Sequence, residues 1–319
     1  RADTHMRRAR SEDASPTAFR LFRAECIYAP PVTVPPKGRL ESEPLYVAVA
    51  ERDPHLALER YGQACAVVNG KQAEAWRVEH DCAPVWRAED TTAPWGCVDM
   101  LTNAARRYYL APTPRISTQQ CTFVGGESTL GFEQQIAWLT GAALTGGMVE
   151  INAADEVSNA RMRAVRERLL PPLERPARPI DLFQIEAPRI WSLPLEGPAG
   201  RWHILGLFNW DESAAQIVSV AFSALGLDPA AYYTVYDFWP QQYCGTAQAR
   251  LDVEVPAGSV RLLGLRRHTE RPMFLATDRH FTQGVRDHDA ITWDAARYTL
   301  EGRFEAAADT DYTVRILVP

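Results

Sequence analysis

The sequence predicts two unlike parts, an α/β layer followed by an all-β, antiparallel sandwich. Three observations carry this. Apolar residues in the first half recur at helical spacing, the period changes to two beyond about residue 185, and a proline-rich stretch at 173–188 separates the two regimes. With 319 residues and 46% hydrophobic content the chain can bury a sizeable core, and that length suggests about two domains.

The elements follow in order. Residues 1–18 read as a polar tail that lacks a starting methionine. Ala24-Glu25-Cys26-Ile27-Tyr28 and the apolar, β-branched run at 44–50 read as two strands. Asp53 then offers an N-cap with Pro54 at the first helical position, and this helix should run to Val68, before Asn69-Gly70. Residues 71–102 show no sustained period, and 106–110 fit a short helix or strand before Pro112 and Pro114. Ser128 or Thr129 can cap a helix carrying Phe132, Ile136 and Leu139, with Gly141 as its stop. The apolar run 142–151, containing Gly146-Gly147, fits a buried strand with close backbone approach, and Met162, Val165 and Leu169 mark a helix ended by Pro171-Pro172. Helix, strand, helix at this spacing is the pattern of a piece of an α/β layer or barrel.

Beyond residue 185 the alternation is plain. Leu251, Val253 and Val255 interleave with Arg250, Asp252 and Glu254, and Tyr312, Val314, Ile316 and Val318 interleave with Thr313, Arg315 and Leu317. Residues 202–209, 216–222, 232–238 and 259–265 add further strands at sandwich spacing. The implied division is a tail at 1–18, an amino-terminal β remnant with a linking helix at 19–70, an α/β segment at 71–175 and a sandwich at 176–319.

A net charge of -6, with Lys37 and Lys71 the only lysines, leaves no nucleic-acid footprint. The six cysteines lie far apart without a C-x-x-C pair, so they read as reduced, and no cofactor or metal motif is evident. No apolar run is long enough to span a membrane and no signal-peptide pattern opens the chain, which together imply a cytoplasmic protein.

Several phrases, in this order along the chain, carry a resemblance to glycoside hydrolase family 36, the α-galactosidase and raffinose-synthase-like group of the melibiase clan. Asp53-Pro54 to Tyr61-Gly62 resembles the helix leaving the amino-terminal sandwich of those enzymes. Leu144-Thr145-Gly146-Gly147 resembles a late barrel strand, and Arg178-Pro179-Ile180-Asp181-Leu182-Phe183 the barrel-to-sandwich connection. Gly206-Leu207-Phe208-Asn209-Trp210-Asp211-Glu212 and Tyr236-Asp237-Phe238-Trp239 resemble strands of the carboxy-terminal sandwich. The resemblance implies an incomplete (β/α)8-barrel-like layer ahead of the sandwich. A full barrel needs at least roughly 200 residues, and the stretch 62–172 is too short to hold one.

The family retains configuration with two aspartates about 5–5.5 Å apart, one nucleophile and one acid/base. Neither Lys37-Gly38-Arg39 nor Lys71-Gln72-Ala73 matches the family's Lys-x-Asp nucleophile phrase. The positions that match its acid/base phrase are Ser117-Thr118-Gln119-Gln120-Cys121, which puts Gln120 in the acid/base place and Thr118 in that of the preceding carboxylate. A carboxamide can hydrogen-bond a sugar hydroxyl but has no usable proton to transfer.

Three carboxylates remain to be weighed. Asp99 stands near Trp95, a candidate sugar platform, and competes with an ordinary cap or turn role. Glu150 and Asp155 follow the Gly146-Gly147 run, and Asp155 doubles as a helix N-cap. Trp76 and Trp86 are further possible platforms, whereas Trp138 and the sandwich aromatics Trp202, Phe208, Trp210, Tyr236, Phe238 and Trp239 read as core and domain-interface packing. His80-Asp81-Cys82 lacks a second ligand pair for a metal, and His268, His280 and His288 read as solvated turn residues. The sequence therefore implies a truncated α-galactosidase-like homologue without its catalytic pair. Two alternatives stand beside it: an active enzyme completed by a partner chain, and a non-enzymatic carbohydrate-binding or interaction module. The implied ligand is an α-galactoside-type carbohydrate, and exposed barrel edges imply homo-oligomerisation or aggregation.

Overall fold

An antiparallel six-stranded sheet, buried on both faces along its central strands, organises the larger of two units. The structure, a computed structural model, describes residues 2–6, 24–28, 53–69, 76–77, 85–87, 96–110, 116–117, 130–146, 160–173, 175–286, 288–305 and 311–319. It divides into Arg1–Asp53 and Pro54–Pro319. In the first unit β1 (Ala2–Met6) pairs antiparallel with β2 (Ala24–Tyr28). The second strand is as expected, and the first lies inside the segment read as a tail. The strand expected at 44–50 lies outside the described residues.

The second unit opens with α1 (Pro54–Asn69), which starts and ends as its capping signals imply. Among its described side chains, the inward contacts are polar. Buried His55 meets the Tyr108 hydroxyl at 3.3 Å and the Ile180 carbonyl at 3.2 Å, while Glu59 accepts two hydrogen bonds from Arg178, each 3.0 Å. Next come β3 (Trp76–Arg77), α2 (Cys97–Arg107) and β4 (Ile116–Ser117), where β3 and β4 pair in parallel around the intervening helix. This is a βαβ crossover, within and just beyond the stretch whose period was illegible. The short-helix alternative for 106–110 holds: Arg106 and Arg107 end α2, and a 3-10 turn follows at Tyr108–Leu110.

Helix α3 (Phe132–Leu144) differs from expectation at both ends. Gly131 is its N-cap, with Gln134 reaching back to accept the Gly131 N–H at 2.8 Å. Ser128 and Thr129, the expected caps, lie outside the described residues. Gly141 does not stop the helix, so Ala142, Ala143 and Leu144 are helical rather than the start of a strand. The reason is packing: a Cβ on Gly141 would lie 2.6 Å from both methyl carbons of Leu101, so this glycine lets α2 and α3 touch. Helix α4 (Ala160–Glu167) buries Met162 and Val165 as predicted, with Leu169 buried just beyond it.

The remainder is β. The strands are β5 (Arg178–Pro179), β6 (Ile190–Gly197), β7 (Gly200–Asn209), β8 (Gln216–Ala221), β9 (Tyr232–Asp237), β10 (Gln242–Gln248), β11 (Arg250–Val255), β12 (Ser259–Arg267), β13 (Met273–Thr277), β14 (His288–Asp294), β15 (Thr299–Phe304) and β16 (Val314–Leu317). The central sheet has the order β10-β9-β12-β7-β6-β5, and antiparallel pairs β8–β11, β13–β16 and β14–β15 accompany it. Period two sorts its side chains into two cores. Trp191, Leu193, Trp202, Ile204, Phe208 and Leu262 face the layer of α2, α3 and α4, and Leu205, Leu207, Val235, Leu263 and Leu265 face β8 and β11. Gly206 marks the closest approach of helix and sheet, since a Cβ there would lie 2.6 Å from a Leu144 methyl carbon.

Two histidine expectations are corrected. His280 is 2% exposed, with its ring between the Pro171 carbonyl at 3.0 Å and the Thr282 hydroxyl at 2.8 Å, and His288 is 6% exposed against the Phe274 and Phe304 rings. Flanking Asp and Arg residues gave that segment a solvated look, but its histidines turn inward. His268 is partly exposed.

Gly206→Ala is expected to destabilise the chain by about 1–3 kcal/mol through overpacking, seen as a lower urea midpoint. Pairing it with Leu144→Ala should recover part of the loss, because the smaller side chain removes the collision; strictly additive losses would contradict the contact.

Candidate functional site

Of the residues singled out from the sequence, Asp99 lies within the described structure. Its Oδ2 accepts the N–H of Gly96, the N-cap of α2, at 3.0 Å. The next two helix N–H groups, on Cys97 and Val98, donate to the Val85 and Trp86 carbonyls, each at 3.0 Å. Asp99 is thus a helix-start carboxylate, favoured there by the helix dipole as well as by its hydrogen bond. Trp95, Thr118, Gln120, Glu150 and Asp155 fall outside the described residues, as do His80, Asp81 and Cys82. Trp86 and Trp138 are 2% and 1% exposed and serve the core rather than a sugar.

The Phe-Asn-Trp phrase has a well-defined task. Phe208 and Trp210 stack with ring centroids 4.7 Å apart, and Trp210 meets Trp86 at 5.8 Å. Between them Asn209 is fully buried, and its Nδ2 donates to the carbonyls of Ala214, Val255 and Pro256 at 2.8, 3.1 and 3.1 Å. Its Oδ1 accepts the Asp211 N–H at 3.1 Å. One carboxamide therefore ties the end of β7 to the β7–β8 loop and to the end of β11. Helix α3 joins the same sandwich through Trp239 Nε1, which donates to the Thr140 hydroxyl at 3.0 Å.

Among the described residues two further carboxylates are buried, and both have structural partners. Asp181 accepts the N–H groups of Arg189 and Ile190 at 3.0–3.1 Å and so closes the connection entering the sandwich, although burial still raises its pKa. Asp237, at the end of β9, is 4% exposed and pairs with Arg261 Nη1 at 3.2 Å. Burial pushes its carboxyl up to about 6, outweighing the arginine's attraction. A groove of about 290 Å3 opens beside it, also bordered by Cys244, Asp252 and Glu254. The Cys244 thiol is itself pushed up by burial and by the Asp237 charge, which makes it a poor nucleophile. Asp252 is engaged by Arg250 and by the Ser219 hydroxyl. A single carboxyl titrating near 6 suits proton transfer, whereas the Asp237 and Arg261 pair by itself is an ion pair within a sheet rather than a hydrolytic couple.

The segment from the closed connection through β12 coincides with one sequence family. Residues 186–265 match the alpha galactosidase C-terminal beta sandwich domain. The sandwich is melibiase-like, as the Phe-Asn-Trp and Tyr-Asp-Phe-Trp phrases implied. Among solved structures, alpha-galactosidase I from Mortierella vinacea matches at 16% identity over 67% of this chain and 63% of that one, with a TM-score of 0.48. The alpha-galactosidase of Saccharomyces cerevisiae matches at 14% identity over 61% and 57%, with a TM-score of 0.44. A family 27 β-L-arabinopyranosidase from Geobacillus stearothermophilus matches at 12% over 66% and 48%, also with 0.44. The chain thus spans less than two thirds of each of these proteins. No curated protein matches the sequence.

Within this melibiase-like sandwich, sequence reasoning passed over Asp237 and Arg261. The signal was present: Tyr233, Val235 and Asp237 share a strand face, so a carboxylate stands where an inward apolar residue is expected. Asp237 lies opposite Leu263, and Arg261, two positions earlier on β12, is its diagonal neighbour on that face.

Asp237→Asn should alter the pH dependence of stability. Because the native carboxyl is raised from 3.8 to about 6, the folded state keeps a proton that the unfolded chain has released. Stability therefore falls as pH rises from about 4 to about 6, by about 3 kcal/mol in full. The asparagine variant lacks this loss, so its stability relative to the parent should climb across that window in urea titrations; parallel curves would contradict the assignment.

Proposed function

We propose that this chain is an α-galactosidase-like glycoside hydrolase homologue of family 36 type, with a lineage acting on α-linked galactosides, that has lost the catalytic carboxylate pair. The observation that carries the reading is the fate of the candidate carboxylates. By the family resemblance Gln120 would take the acid/base place, no Lys-x-Asp phrase supplies a nucleophile, and Asp99 is hydrogen-bonded at the start of α2. Asp181 and Asp237, the buried carboxylates of the sandwich, are held by backbone N–H groups and by Arg261 respectively. Retention requires two carboxylates facing one anomeric carbon, and none of these residues supplies such a couple.

A shortened α/β layer fits the same reading. The stretch 62–172 supplies one βαβ crossover and two further helices among the described residues, far from the roughly 200 residues of a closed barrel. Such a layer leaves strand edges and helix faces to be covered, which favours self-association of a soluble, cytoplasmic chain. A second reading, carbohydrate binding without turnover, is favoured by the grooves on the sandwich surface.

The purified chain should not hydrolyse an aryl α-galactoside or raffinose. Asp99→Asn keeps a cap acceptor and loses only charge at the helix start, so it should cost about 0.3–1 kcal/mol of stability and change no activity. Turnover in the parent chain that disappears in Asp99→Asn would overturn the proposal. Light scattering should report concentration-dependent association, and a monodisperse monomer would count against an uncovered barrel edge.

A further inference from the structure

Four arginines converge where the β6–β7 hairpin, the end of β12 and the β14–β15 hairpin meet. They border a groove of about 390 Å3, within the range of about 300–1,000 Å3 of small-ligand sites. Arg201, Arg266, Arg267 and Arg271 line it, and no aspartate or glutamate does. Ile291 and Trp293 share one face of β14, as alternation requires, and with Phe274 they supply apolar walls.

The four guanidinium groups are held differently. Arg266 is 3% exposed and fixed: it donates to the Leu275 and Gln283 carbonyls and lies 4.3 Å from the Trp202 centroid and 4.7 Å from that of Phe274. Arg201 has Glu196 at 3.1 Å and Arg267 has Asp228 at 3.9 Å, all well exposed and therefore weakly coupled. Arg271 is exposed and sits over Trp293 at 5.8 Å from the ring centroid. Among the described residues no carboxylate pairs with it. Arg271 is thus positioned by an aromatic face with its guanidinium open to solvent, and a carboxylate is the partner whose geometry matches a guanidinium fork.

We propose that this groove binds an acidic sugar, a uronate residue within an oligosaccharide, with Arg271 and Arg267 taking the carboxylate and the Trp293 wall meeting the apolar face of the ring. The proposal rests on the carbohydrate-binding reading above and narrows its ligand class. Galacturonate, the C6 carboxylate counterpart of galactose, unites a galactoside ring with the charge these arginines call for. A nucleic acid is a poorer fit, because a net charge of -6 offers no basic track and the cluster is confined to one groove.

Calorimetry tests this with α-1,4-trigalacturonate, its fully methyl-esterified form, raffinose and an oligo-aspartate peptide. Trigalacturonate should bind, weaken as salt rises, and lose about tenfold or more in affinity on Arg271→Gln and on Trp293→Ala. The neutral ester should bind at least about tenfold more weakly than the acid. Arg271 is exposed and Trp293 half-buried, and unchanged thermal midpoints confirm that the fold is intact. No binding of trigalacturonate, equal binding of acid and ester, or indifference to Arg271→Gln overturns the proposal. Tighter binding of the peptide would reassign the groove to acidic protein segments. Raffinose bound without trigalacturonate would sink the uronate inference while leaving the neutral-galactoside reading in place.

Discussion

The seating of α3 on the central sheet is the constraint on which the second unit depends. Leu144 reaches the sheet where Gly206 has no side chain, and one turn earlier Gly141 admits Leu101 of α2. These two vacant Cβ positions bring three elements within van der Waals reach, so that Trp138, Trp191, Trp202 and Phe208 fill one continuous core. The sheet is therefore enclosed on both sides, by helices on one face and by β8 and β11 on the other. This explains why β7 reads as an almost unbroken apolar run rather than a clean alternation.

Legibility of the fold in the sequence followed from how each segment is buried. Strands β8 and β11, half-buried against the central sheet, alternate visibly in the sequence. Strands β14 and β15 are largely solvent-facing, so no period announces them. Helix α2 carries a good apolar stripe in Val98, Leu101 and Ala105, yet it opens on glycine rather than a capping side chain, and its boundary signal was missing. The end of α3 lies beyond Gly141 for a single reason: a glycine there signals a terminator in sequence, but in the fold it admits a neighbouring helix.

Side chains at candidate sites were less legible because carboxylates have ordinary structural uses. From its sequence position Asp99 fits a cap or turn carboxylate better than a site residue, and its Oδ2 accepts the Gly96 N–H. Asp237 attracted no notice because it sits inside an aromatic phrase that marked lineage. Its unusual proton affinity comes from tertiary burial between β9 and β12, which pattern alone does not report.

Asn209 spans three backbone carbonyls from two distant parts of the chain with the two hydrogens of one amide. Aspartate lacks those donors, and a hydrophobic side chain would strand the carbonyls, so selection on foldedness alone suffices to keep this residue. A residue with that task is needed wherever this sandwich folds, independent of any chemistry in the α/β part. Searches keyed to it will gather sandwiches irrespective of whether a working active site is still attached, and sorting such a collection by activity requires the carboxylates to be examined one chain at a time.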